Sequence, residues 1–248
     1  MLGQFKRGKT TLINSLISED ILPVAVVPLT SIVTIIKHGI NLKIVVHFID
    51  RKKQEITREE LIYFVTEKGN PANEKGVDFV EISYPSSFLK DGVQLIDTPG
   101  VGSVYKHNTD IAYQYLPKVD GAIFLVAADP PISQSEHQYI SDIKEYAKKI
   151  FFLQNKIDHV DETERKESLE FTKKVIEEEI GIKGITIYPI SAKLALEGKK
   201  NGDNKKLEKS YLPEFESALN KFLMEEKGNI ILASASLSER LLCSDRKP

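Results

Sequence analysis

The hydrophobic pattern changes period several times along the chain. From Thr11 to Ile17 the apolar residues Leu12, Ile13 and Leu16 recur at helical spacing, which predicts a helix. Pro23 and Pro28 interrupt the stretch ILPVAVVPLTSIVTII and predict an irregular loop. Two β-branched runs follow, SIVTIIKHG and LKIVVHFID, joined by GIN, and together they predict a hairpin. TREELIYFVTEKGN reads as a helix, with Thr57 and Glu60 as a capping box. VDFVEISYP and VQLIDTPG read as strands. GAIFLVAADPP is almost continuously apolar, as a strand covered on both faces should be. SQSEHQYISDIKEYAKK reads as a helix and IFFLQNKID as a second buried strand. ETERKESLEFTKKVIEEEIG is a long charged helix with a glycine stop, and ITIYPISAK is the last strand. Strands that alternate with helices predict an α/β fold with a mainly parallel sheet flanked by helices.

Beyond Leu196 the pattern weakens. EGKKNGDNKKLEKS is polar and glycine-bearing and predicts a loop. Then Phe215, Leu219, Phe222, Leu223, Ile230, Ile231, Leu237 and Leu241 return at helical spacing, with Gly228 as the expected break. These features divide the chain into a domain over 1–206 and a helical segment over 207–248.

Composition narrows the function. Apolar residues make up 41% of the 248, enough for a substantial core. The formal net charge of −2 lacks the basic footprint of a dedicated nucleic-acid binder, so no nucleic-acid partner is expected. Cys243 is the single cysteine, so no disulfide forms within one chain, which fits a reducing compartment. No run reaches eighteen uninterrupted apolar residues. The expected location is cytoplasmic. The five histidines, at 38, 47, 107, 137 and 159, show no metal-binding spacing.

The candidate chemistry starts at Gly3, in GQFKRGKT. Gly3 and Gly8 permit a turn whose N–H groups point inward around phosphate oxygens, and Gln4, Phe5, Lys6 and Arg7 form the body of that turn. The helix that begins near Lys9 turns its positive end toward the same anion. Lys9 adds a full charge at the β- and γ-phosphates, the Thr10 hydroxyl can ligate Mg²⁺, and Thr11 continues the motif. DTPG, at Asp97–Gly100, ends one predicted strand: Asp97 can hold the Mg²⁺ shell and the Gly100 N–H can meet the γ-phosphate. NKID, at Asn155–Asp158, ends another. The Asp158 carboxylate can accept from guanine N1–H and N2–H₂, a donor pair adenine lacks. The Lys156 stem would cover the base, and Asn155 would tie the loops together. SAK, at Ser191, Ala192 and Lys193, ends a third strand, and the Ala192 N–H can meet guanine O6. Each string is weak alone. Ordered, and each at the carboxyl end of a strand, they point to one rim of an open α/β sheet holding GTP or GDP with Mg²⁺.

This set looks like that of the P-loop GTPases. GQFKRGKTTLINSL, ILPVAVVPLTSIVT, DTPGVGSVYKHNTD and FLVAADPPIS together resemble the dynamin family, specifically its bacterial dynamin-like members, from Gly3 to about Lys193. The resemblance implies a Ras-like P-loop NTPase fold in its enlarged dynamin form, with the tail as the start of a helical neck. It also implies GTP hydrolysis coupled to homodimerisation through the GTPase face, and membrane remodelling through a stalk. Membrane contact would run only through regions outside this sequence, with the full-length protein peripheral at the inner face of the membrane. Lys9 and Asp97 lie 88 positions apart, room for the extra elements of that enlarged domain.

Thr30, in VPLTS, matches the family's first-switch threonine, and would complete the Mg²⁺ shell and sense the γ-phosphate. Val101 stands where many small GTPases place a glutamine, so the attacking water must be held by other groups, with Thr30 and backbone groups as the candidates beside the Gly100 N–H at the γ-phosphate, and charge compensation must come from elsewhere, with Lys6 as the candidate. Lys6 reads either as a charge brought to the phosphates or as a solvated loop lysine. In Ras-like sheets the strand feeding the phosphate loop is central, and here only Met1 and Leu2 precede Gly3. The expectation is therefore a GTPase core cut from a longer protein. Two other functions compete: an Era- or TrmE-like GTPase acting on ribosomal or transfer RNA, and a nucleotide-binding interaction module with little turnover.

Overall fold

The computed structural model describes residues 1–24, 32–100 and 116–225. In chain order its main elements are β1 (Leu2–Gly3), α1 (Lys9–Ile17), β2 (Val33–His38), β3 (Lys43–Phe48), β4 (Lys53–Ile56) and α2 (Ile62–Val65). β5 (Val77–Tyr84), β6 (Gln94–Asp97), β7 (Ala122–Ala127), α3 (Gln134–Ile143), β8 (Ile150–Asn155) and α4 (Glu162–Ile180) follow. β9 (Ile187–Pro189), α5 (Ala192–Asn201) and α6 (Asn204–Lys209) complete this part. One unit runs from Met1 to Leu212; a second begins at Pro213, and its described part, 213–225, is helical.

The most apolar run of the sequence becomes its most protected strand, for all six residues of β7 are buried. β7 lies between β1 and β8 in a parallel sheet of order β1-β7-β8-β9. Phe124, fully buried, stacks near Tyr139 of α3 and tilts against Phe152 of β8, each with ring centroids 6.0 Å apart. Burial of such a side chain contributes about 1.5–3 kcal/mol. Ile140 and Ile143 of α3 and Ile176 of α4 join the same core cluster.

The remaining strands form a second run of order β4-β3-β5-β2-β6, in which β2 and β5 are parallel and the other pairings antiparallel. β1, two residues long, pairs with the first run, and Met1 just before it reaches the second. Leu2 and Gly3 pair with Phe124 and Leu125 of β7. On its other side, the Met1 nitrogen donates to Ile96 O at 2.7 Å, and Thr98 Oγ1 donates to Met1 O at 2.6 Å. The phosphate loop therefore leaves a strand held from both flanks.

Three local expectations are corrected. β2 and β3 do run antiparallel, but β5 lies between them, so they are not a hairpin. Their connection is stitched to β5: Gly39 N donates to Tyr84 O at 3.1 Å. The helix expected over 57–70 shrinks to Ile62–Val65. Its capping pair is present, with Thr57 N donating to Glu60 Oε2 at 2.8 Å and Glu60 N to Thr57 Oγ1 at 3.3 Å. Thr66 is then extended, and Asn70 turns the chain by donating to Phe64 O while accepting from Lys75 N. The loop expected over 197–210 is the end of α5 followed by α6, divided at Gly202 (φ 64°) and capped by Asp203. Lys199 Nζ donates to Ser15 O at 2.8 Å, so a lysine of α5 satisfies a carbonyl near the end of α1.

Candidate functional site: the carboxyl rim of the parallel sheet

The rim is built from three strand ends of the parallel sheet, those of β1, β8 and β9, and from the end of β6, which belongs to the second sheet. Gly3 (φ 127°) leaves β1 with no room for a side chain, because a Cβ there would lie 2.4 Å from Leu125 O. Lys6 (φ 65°) and Gly8 (φ 93°) take the left-handed turn that curls the loop before α1 begins. Lys9 is buried, and its Nζ donates to Gly3 O at 2.9 Å and Gln4 O at 3.1 Å, spanning the loop from inside. Burial pushes its ammonium down to about 8, against the opposing charges of Asp97 and Glu136. Thr11 follows in α1 and is half-buried.

Asp97 ends β6 beside the loop. Thr10 Oγ1 donates to its Oδ2 at 3.0 Å, while its Oδ1 is buried without a hydrogen-bond partner. Burial raises the Asp97 carboxyl, and the Lys9 ammonium, the Met1 amino group and the Thr10 hydroxyl pull it back. A buried, under-coordinated carboxylate next to a hydroxyl is a hard oxygen pair, so these residues fit Mg²⁺. Gly100 closes on the loop: a Cβ there would lie 2.8 Å from Phe5 N and 3.1 Å from Lys9 Nζ. Thr30 lies outside the described residues, as do Val101 and His107.

The base-side loops converge on Asn155, which is buried at the end of β8. Its Nδ2 donates to Arg7 O at 2.8 Å, and its Oδ1 accepts from Ala192 N at 3.0 Å. One amide thus ties phosphate loop, NKID and SAK together. The Ala192 N–H, expected at guanine O6, is satisfied by Asn155 in this arrangement. Ser191, also buried, caps α5 by accepting from Leu194 N at 3.2 Å, and Lys193 is exposed. Asp158 sits in the turn Ile157–His159, anchored by the buried Ile157, whose N–H donates to Ile190 O at 3.3 Å. The His159 ring Nε2 lies 3.5 Å from Asp158 Oδ2. Lys156 (φ 67°) stands beside them; burial lowers its ammonium, helped by Arg7 and Lys6 and opposed by Asp158.

Lys6 is exposed, its Nζ 5.4 Å from the Phe5 ring centre. Arg7 is not. It is 4% exposed and forks onto the fully buried Glu136 of α3, Nε to Oε1 at 2.7 Å and Nη2 to Oε2 at 2.5 Å. Glu136 was invisible as a site residue in the sequence. The signal that could have found it is Ser133-x-x-Glu136, a capping box directly after an apolar strand. Removing one partner of such a buried pair costs about 3–5 kcal/mol.

The dynamin family profile matches residues 1–158. The chain belongs to the dynamin family. A relative from Caldicellulosiruptor sp. (strain Rt8B.4), an uncharacterized protein of the xynA 3′ region, is 46% identical over 234 residues, 94% of this chain and 58% of its own. The bacterial dynamin-like protein of Nostoc punctiforme (strain ATCC 29133 / PCC 73102) is 27% identical, covering 98% of this chain and 39% of its own. This dynamin-family chain thus spans between about two fifths and three fifths of those curated relatives. A solved structure of an oligomerised bacterial dynamin pair, described as a mechanism for long-range sensing and tethering of membranes, has the same fold. It superposes with a TM-score of 0.72 at 19% identity, covering 99% of this chain and 42% of that one. Era in complex with MgGDPNP and a 16S ribosomal RNA segment superposes with a TM-score of 0.51 at 18% identity, covering 89% of this chain and 54% of that one.

Proposed function

We propose that this chain is a GTPase domain that binds GTP and hydrolyses its β–γ phosphoanhydride with Mg²⁺, and that turnover is coupled to pairing of two such domains. The observation that carries the reading is Asn155. It holds the phosphate loop and the SAK loop at one rim, three residues before the carboxylate suited to guanine. Gly3, Gln4, Phe5, Lys6, Gly8, Lys9, Thr10 and Thr11 surround the phosphates, with Arg7 contributing main chain alone; Asn155, Lys156, Asp158, Ser191, Ala192 and Lys193 surround the base. Thr10 and Asp97, with Thr30, would hold Mg²⁺, which would neutralise charge on the β- and γ-phosphate oxygens. Lys9 neutralises the same region from the loop side. The Gly100 N–H orients the γ-phosphate and closes the rim against bulk water.

The side chain of Val101 cannot orient water, so the attacking water is held by Thr30 and main-chain groups, and Lys6 supplies compensating charge. Lys6 is exposed in the single chain, which suits a group ordered only when a second GTPase face covers it. The relative that forms an oligomerised bacterial dynamin pair supports the pairing. In the whole protein, hydrolysis would drive membrane remodelling through segments beyond this chain. No helix among the described residues is long and apolar enough to cross a membrane.

Turnover measured across a dilution series tests this. GTP should be hydrolysed and ATP left intact, with a rate per molecule that rises with protein concentration. Lys6→Ala should lower the maximal rate by about 10³-fold, the lower end of the worth of a supplied positive charge, with GTP affinity nearly unchanged. A rate per molecule that is flat with concentration, or an unaltered Lys6→Ala rate, would overturn the coupling; ATP turnover would overturn the GTPase reading.

A further inference from the structure

Resting on the GTP-binding reading above, we infer that the Arg7–Glu136 pair is a positioning device for hydrolysis, which sets the apex of the phosphate loop from outside rather than touching nucleotide. Arg7 lies in the middle of GQFKRGKT, yet its side chain runs away from the loop interior. Nε and Nη2 fork onto Glu136, Nη1 donates to Pro130 O at 2.7 Å, and Nη2 also reaches Pro131 O at 3.2 Å. Four of its hydrogen-bond contacts are thus spent on the segment after β7 and on α3. Glu136 is equally committed. Its Oε2 accepts from Ser133 N and Ser133 Oγ, both at 2.9 Å, so the carboxylate that grips the loop also closes the first turn of α3.

A second seam runs beside it. Gln4 Nε2 donates to Ser135 Oγ, and Gln4 Oε1 accepts from Ser133 Oγ, each at 3.2 Å. On the opposite side, Arg7 O is held by Asn155. The apex is therefore pinned between the α3 N-terminus and the base-side loops, through residues more than 120 positions distant in sequence.

A loop that stabilises developing phosphate charge must keep its N–H groups aimed inward. Displacement of even about 1 Å can cost about a hundredfold in rate. Such donors matter more in the transition state than in the ground state, so their misplacement lowers the rate more than the affinity. A bidentate fork fixes distance and angle together, which a lysine at position 7 could not do.

The experiment must separate positioning from mere stability. Replacing a buried ion pair by well-packed apolar residues often leaves stability unchanged or raised. The informative variant is therefore Arg7→Met with Glu136→Met, compared with Arg7→Lys. For each, thermal midpoint, GDP affinity and single-turnover GTP hydrolysis are measured in the 248-residue chain. The double variant should remain folded, its midpoint lowered by a few degrees through the lost Ser133 cap contacts, and bind GDP within about threefold, yet hydrolyse GTP about ten- to a hundredfold more slowly. Arg7→Lys should lose rate similarly. Gly181→Ala, which strains the left-handed cap at the far end of α4 (φ 75°), should lower the midpoint and leave the rate intact. A folded double variant hydrolysing GTP within twofold of the unaltered chain overturns the inference, as does a rate that tracks the melting point across all variants. Failure of the unaltered chain to turn over GTP would instead overturn the function beneath it.

Discussion

Lys9 shows how burial sets the working range of a single residue. Its ammonium titrates near 8 in the folded chain instead of at its ordinary value of 10.5. Between those pH values Lys9 is protonated in the unfolded chain and neutral in the folded one, so its contribution to ligand-free stability rises as pH rises from about 8 to about 10.5. Nucleotide binding runs the other way. Phosphate requires the charged ammonium, so binding takes up a proton above pH 8, and affinity for GDP falls by up to about tenfold per pH unit there. Calorimetric titration in two buffers of different ionisation enthalpy measures that uptake directly; a GDP affinity constant up to about pH 10 would contradict it. At this scale the sequence was legible wherever chemistry and spacing coincide. The motifs bring Thr10 to Asp97, and Asn155 to its two loops, as their order along the chain led one to expect. Glu136 was illegible because its partner, Arg7, is 129 positions away and no local pattern joins them.

At the scale of elements, glycine separates what the fold needs from what the site needs. Gly8 and Gly202 both take a left-handed conformation, φ 93° and 64°. A Cβ at Gly202 meets nothing within 4 Å, whereas at Gly8 it would lie 2.2 Å from Asn155 Nδ2. Gly202→Ala should therefore cost about 1 kcal/mol of stability and leave nucleotide binding alone. Gly8→Ala should add displacement of Asn155 from Arg7 O and weaken GDP at least about tenfold, the loss of one well-made hydrogen bond. Equal GDP affinities in the two variants, read by fluorescence titration, would contradict this. The strands and long helices of the parallel half were legible because burial on both faces leaves a strong pattern. The extra strands were less so. A reversal at Gly39 looks the same whether β3 lands beside β2 or one place further along, with β5 between. α5 and α6 were hidden by their lysines, several of which act as caps and ion-pair partners rather than as solvated loop.

On the scale of the whole molecule, two sheets are joined at Met1, through Ile96 and Thr98, and the candidate rim lies where the end of β6 meets the parallel sheet. The family relation and the Asn155 tie support the proposal that Asp158 selects guanine. The most direct measurement is equilibrium binding of GDP, ADP and xanthosine diphosphate to the unaltered chain and to Asp158→Asn. An asparagine there trades an acceptor for a donor, which matches the C2 carbonyl of xanthine. The unaltered chain should bind GDP at least about a hundredfold tighter than ADP, and Asp158→Asn should exchange this preference for xanthosine diphosphate. Equal binding of GDP and ADP, or a guanine preference that survives in Asp158→Asn, would contradict it.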